Sequence, residues 1–125
     1  MEASDLKKRT RRFSLNVISF TEKLPRSRTI DVIARQLLRS ATSVGANYRA
    51  ACRAKSVADF VAKMGTVEEE ADETIYWLEL LMESGAARNG GLQPLLDEAN
   101  QLVAIAVSSI RTARKRLKAP KPSRS

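Results

Sequence analysis

Residues 39–55 read RSATSVGANYRAACRAK, a stretch with helical signals and very few large apolar side chains. Small residues stand at Ser40, Ala41, Ser43, Gly45, Ala46, Ala50 and Ala51, while Arg39, Ser43 and Asn47 lie four apart on one stripe. Positions four apart share a helix face. A helix built this way either packs unusually close to its neighbours or uses its polar stripe for specific contacts.

Outward from this stretch, the apolar spacing is helical on both sides. Upstream, Leu6, Thr10, Phe13, Val17, Phe20 and Leu24 alternate three- and four-residue steps before Pro25. Ser27 or Thr29 can cap a second helix, in which Ile30, Ala34, Leu37, Ala41, Val44, Tyr48 and Ala51 keep the rhythm. Ser56 followed by Asp59 resembles a capping box that opens a third helix. Its seam is Phe60, Met64, Val67, Ala71, Ile75 (one position late), Leu78 and Leu81, ended by Gly85 and the segment AARNGG. Pro94 suits the first turn of a fourth helix, with Leu95, Ala99, Leu102, Ala106, Ile110 and Ala113 inward. No segment alternates with a period of two. The pattern predicts an all-α, antiparallel up-down-up-down four-helix bundle over residues 1–118, its helices roughly 30–40 Å long, followed by a disordered basic tail over 119–125.

Composition narrows the chemistry. The 125 residues suit one domain, and a single cysteine, Cys52, allows no internal disulfide and reads as a packed thiol. With no histidine, the usual base for a nucleophile and the Glu-x-x-His ligands of di-metal bundles are both missing. No catalytic centre, metal or cofactor is expected. The charged start MEASDLKKRTRR does not fit a signal peptide, and no run approaches the ~20 apolar residues of a membrane span, so a cytoplasmic protein with no membrane partner is expected.

The formal net charge is +8. An up-down-up-down bundle brings the start of helix 1, the helix 2–3 turn and the end of helix 4 to one end. That end holds sixteen of the 22 cations and three of the 14 carboxylates, a local balance of +13 against −5 elsewhere. Segregation on this scale costs stability by self-repulsion and suits a polyanionic partner, RNA or DNA, or else an acidic protein. The candidate phosphate-binding residues are Lys7, Lys8, Arg9, Arg11, Arg12, Arg49, Arg53, Lys55, Arg111, Arg114, Lys115 and Arg116. No base-reading motif accompanies them, so binding without sequence specificity is expected.

The acidic run EEEADE at 68–73 suggests a structural use. Counted back from the helix 2–3 turn, Arg39 lies level with about residue 71, so Glu70 or Glu73 can meet it and fix register. Ser43 and Asn47 can bond neighbouring carbonyls or the same carboxylates. Adjacent Tyr76 and Trp77 point about 100° apart and cannot easily share one core; with Leu80 they suggest a protein interface.

Residues 36–81 resemble the 23S rRNA intervening-sequence proteins. The resemblance rests on Arg39-Ser40-Ala41-x-Ser43-Val44-x-x-Asn47, a Ser-Lys turn, a Phe-x-x-Lys start and the Glu-Glu-x-x-Glu segment. After Asn47 the sequence departs: Tyr48-Arg49-Ala50-Ala51 replaces the family's common Ile/Ala-Glu-Gly continuation, exchanging an acid and a glycine for a basic, uninterrupted helix. The resemblance implies a bundle assembled as a ring, a homopentamer. It is also similar to the accessory protein of diversity-generating retroelements, which implies a reverse transcriptase and nucleic acid as partners. The expected function is therefore a non-catalytic, oligomeric RNA- or DNA-binding protein; the alternative is a scaffold or accessory subunit for an acidic protein or a polymerase.

Overall fold

Serine caps and one glycine set the helix boundaries in the computed structural model, which describes residues 2–87 and 90–118. The expected tail at 119–125 lies outside them. Ser27 opens α2 by accepting the Ile30 N–H at 3.1 Å, and Ser56 opens α3 by accepting the Asp59 N–H at 3.0 Å. Asp59 completes a variant of the capping box, since its carboxylate takes the N–H of Lys55, one residue ahead of the cap, at 3.2 Å. Gly85, at φ +75°, follows α3 in the left-handed conformation that glycine adopts without strain.

The helices are α1 (Ala3–Glu22), α2 (Arg28–Ala51), α3 (Val57–Glu83) and α4 (Leu92–Lys118), and no strand occurs among the described residues. They form a four-helix bundle in which α2 packs on α1 and α3, and α3 packs on α4. Contact between α1 and α4 is much sparser. Among the described residues, no helix is long and apolar enough to cross a membrane.

The core follows the seams. Val17, Leu37, Ala41, Val44, Met64, Ala71, Leu78, Leu81 and Ala99 are fully enclosed. Small residues bring α1 onto α2: the Ser14 hydroxyl donates across the helix pair to the Ala41 carbonyl at 3.3 Å, and a β-carbon placed on Gly45 meets Thr10 Oγ1 at 3.4 Å.

Between α2 and α3 the interior holds two hydroxyls. The expected seam residue Ile75 is only half-buried; Thr74 occupies the enclosed position. Its hydroxyl lies 2.9 Å from Ser40 Oγ and 2.8 Å from the Glu70 carbonyl, while Ser40 donates to the Leu37 carbonyl at 3.2 Å. A buried hydroxyl is tolerated when it is hydrogen-bonded, so the 3–4–3 rhythm from Ala71 through Thr74 and Leu78 to Leu81 prevails over side-chain hydrophobicity.

The α1–α2 spacing yields the first prediction. Gly45→Ala adds only ordinary contact with Thr10 and gains about 0.5–1 kcal/mol of helix propensity, so its thermal midpoint should rise. Gly45→Leu should lower it by forcing α1 off α2. Circular dichroism melts of both variants check this; an alanine variant less stable than the parent would mean the gap has no room for a methyl group.

Candidate nucleic-acid interface

Of the twelve candidate cations, Arg9 stands apart. Its guanidinium grips Glu98 of α4 through two bonds of 2.7 Å and also reaches Gln101. The bond to Glu98 outweighs partial burial and raises the Arg9 pKa above its ordinary value. Arg9 is therefore occupied in tying α1 to α4.

The other eleven are exposed, and none takes part in an ion pair among the described residues. Two grooves separate some of them by environment. The α3–α4 groove, about 570 Å³, gathers Arg111, Arg114 and Lys115 together with Lys118, a cation outside the candidate set, and the four share one face of α4. Glu68 and Glu69 line it as well, and Gly65 leaves space beside them. The second groove, about 1170 Å³, lies where the start of α1, the α2–α3 turn and the end of α4 meet. Leu6, Tyr48, Phe60 and Ile105 supply its apolar lining, and Ser56, Ser108, Ser109 and Thr112 its hydroxyls. Its charged lining residues are Lys55 and Arg116, and no carboxylate is among them. Lys7, Lys8, Arg11, Arg12, Arg49 and Arg53 stand outside both grooves.

Cys52 is half-buried: it packs against the core and also lines the second groove. Burial first, and then the neighbouring Cys52 thiol, push the Tyr48 phenol up, so it stays protonated. The nearby carboxylate, Asp59, is held below its ordinary value by Lys63 first and the Lys55 N–H second, and it does not line the groove.

The polar stripe divides. Arg39 Nη1 lies 3.1 Å from Glu70 Oε2, and Nη2 bonds Glu73. The Glu73 bond leads in raising the Arg39 pKa above its ordinary value. Asn47 Nδ2 instead donates to the Ser43 carbonyl on its own helix at 2.8 Å, away from the carboxylates. The enclosed polar link between α2 and α3 is Ser40–Thr74, which sequence reasoning missed; the available signal was Thr74 lying on the seam rhythm while Ile75 fell off it.

On the outer side of α3, Tyr76 is 54% exposed, whereas Trp77 and Leu80 are half-buried. The two aromatic rings meet edge to face at 5.1 Å. Trp77 Nε1 is enclosed without a hydrogen-bond partner among the described residues. Nor do three or more Cys, Asp or Glu side chains come together there as a possible metal site.

Fold and surface together define a four-helix bundle with a cation-rich, grooved end. Residues 2–108 match the family described as 23S rRNA-intervening sequence protein, and the chain belongs to that family. It is similar to the crystal structure of a protein of unknown function from the S23 ribosomal protein family of Bacteroides thetaiotaomicron. That match has 31% identity and a TM-score of 0.80, covering 89% of this chain and 99% of the other. No curated protein matches the chain.

The Arg9–Glu98 link is testable. It is bidentate and part-buried on both sides, so Glu98→Gln should cost about 0.5–1 kcal/mol in urea unfolding, with the difference shrinking at high salt. A variant as stable as the parent at low salt would show that this pair does not fasten α1 to α4.

Proposed function

We propose that the protein is a non-catalytic, cytoplasmic nucleic-acid-binding protein that holds RNA or DNA by its phosphates, without sequence readout, through the basic end of an antiparallel up-down-up-down bundle. The observation that carries this reading is the set of eleven exposed cations without ion-pair partners among the described residues. Unpaired cations repel one another, and a polyanion relieves that repulsion while releasing its own counterions. The helix directions are supported by contact order: Thr10 meets Gly45 while Ser14 meets Ala41, and the start of α1 shares a groove with the end of α4.

Assembly belongs to the same proposal. A homopentameric ring with Tyr76, Trp77 and Leu80 in its subunit contacts repeats the basic end several-fold and raises avidity without any new contact chemistry. In this reading Arg39, Glu70 and Glu73 set the register of α2 on α3, and a reverse transcriptase is the class of protein that would share the bound nucleic acid.

The test is binding of a labelled structured RNA at about 50 and about 200 mM salt. Five or more phosphate contacts should weaken affinity by roughly 10²-fold or more across that range. The triple change Arg111→Glu, Arg114→Glu and Arg116→Glu should abolish binding with the circular dichroism spectrum unchanged. Affinity indifferent to both salt and charge reversal would leave the basic end to an acidic protein partner.

A further inference from the structure

The two cationic grooves are not equivalent toward a phosphate chain. In the α3–α4 groove, Glu68 and Glu69 line the same cavity as the four cations of α4 and offset their pull on an anion. The groove at the α2–α3 turn has Lys55 and Arg116 as its charged lining, with the N-terminus of the 27-residue α3 opening into it at Ser56 and Val57. The positive end of a helix dipole adds to the cationic field there. Asp59, the carboxylate closest in sequence, is occupied by Lys63 and the Lys55 N–H.

This groove also differs in its uncharged lining. Phe60, a half-buried aromatic, and Ile105 line it, with the hydroxyls of Ser108, Ser109 and Thr112 on the α4 side. An aromatic ring accepts a stacked base, hydroxyls bond base edges, and rim cations take the flanking phosphates. At about 1170 Å³ the cavity exceeds the ~300–1000 Å³ usual for small-molecule pockets, enough for a base with its sugar and flanking phosphates. A duplex keeps its bases stacked and paired and offers the groove no free ring face.

We infer that the groove between the start of α1, the α2–α3 turn and the end of α4 takes an unpaired base of single-stranded RNA or DNA, stacked on Phe60, with its phosphates on Lys55 and Arg116. The inference rests on the nucleic-acid-binding reading above and deepens it. It makes the basic end selective for strand state, while sequence stays unread.

Cys52, the only cysteine of the chain, lines this groove and reports on its occupancy. The experiment measures the rate of Cys52 alkylation by iodoacetamide in the full-length protein. It is run alone, with a single-stranded oligonucleotide, and with a duplex of equal length, each at a concentration shown to bind. The single strand should slow alkylation by about five-fold or more, and the duplex should leave it unchanged. Phe60→Leu preserves apolar volume while removing the ring, and should weaken single-strand binding about 5- to 100-fold with duplex binding unaffected. Lys55→Ala with Arg116→Ala changes only exposed side chains, so it carries no risk to the core; it should abolish the protection.

The outcomes separate the two readings. Salt-sensitive binding of both nucleic acids, with Cys52 equally reactive throughout, would overturn the groove inference and leave the basic end standing. Absence of binding at low salt would overturn the basic-end reading and this inference with it. Alkylation that slows as protein concentration rises, with no nucleic acid present, would place a second copy of the chain in the groove and overturn the inference.

Discussion

The architecture depends on how narrow α2 is. With Ala41 and Gly45 toward α1, the two backbones lie close enough for the Ser14 hydroxyl to reach the Ala41 carbonyl. Toward α3 the same helix presents Ser40, whose hydroxyl meets Thr74 inside the bundle. A residue larger than alanine at Gly45 would push into Thr10, whose own hydroxyl is bonded to the Leu6 carbonyl. α1 is thus held by α2. Against α4 it makes only sparse contact, and an opening lies at each end of that side: a small one lined by Phe20, Leu24 and Leu95, and the groove at the α2–α3 turn. The groove at the basic end takes only Ala3 and Leu6 from α1, the rest of its lining coming from α2, the α2–α3 turn, α3 and α4.

Much of this organisation was legible in the sequence because it follows from spacing. The seams of α1 and α4 read directly from steps of three and four, and Leu6, Phe13, Val17, Leu102, Ala106 and Ile110 are buried on them. Thr74 lay on the seam rhythm, yet its chemistry pointed the other way. A β-branched polar residue beside Ile75 looks like the exposed member of the pair, and only its hydrogen bonds to Ser40 and Glu70 make burial acceptable. Local turn geometry explains the Arg39 neighbourhood: α2 and α3 are joined by a short turn, so counting back from it gives depth, and Glu70 and Glu73 stand at that depth. No such turn joins α1 to α4. The pairing of Arg9 with Glu98, and the groove a few residues further on, depend on three-dimensional packing between helices remote in sequence.

Electrostatics adds a distinction that charge counting lacks. The twelve candidate cations, drawn from three segments of the chain, form one group by their expected place at one end of the bundle, but their surroundings divide them. Arg9 is spent on Glu98 and Gln101. Arg111, Arg114, Lys115 and Lys118 share a cavity with Glu68 and Glu69. The carboxylates of the acidic run therefore have two uses, since Glu70 and Glu73 hold Arg39 while their neighbours face the end of α4.

That division bears on where an anion gains most. At an effective dielectric of ~20, a charge 4 Å away contributes about 4 kcal/mol of interaction, so one carboxylate beside a cation removes most of that cation's attraction for a phosphate held between them. At ~10 Å and physiological salt, screening leaves little of the same effect. Glu68 and Glu69 form no ion pair with the α4 cations among the described residues, so they offset only part of the pull of the cations that share their cavity. Arg116 and Lys55 line a different one, near the positive end of α3, where Asp59 pairs with Lys63 of its own helix and also accepts the Lys55 N–H. The attraction of either groove for an anion thus depends on the unopposed charge within a few ångströms and not only on the total at that end of the molecule.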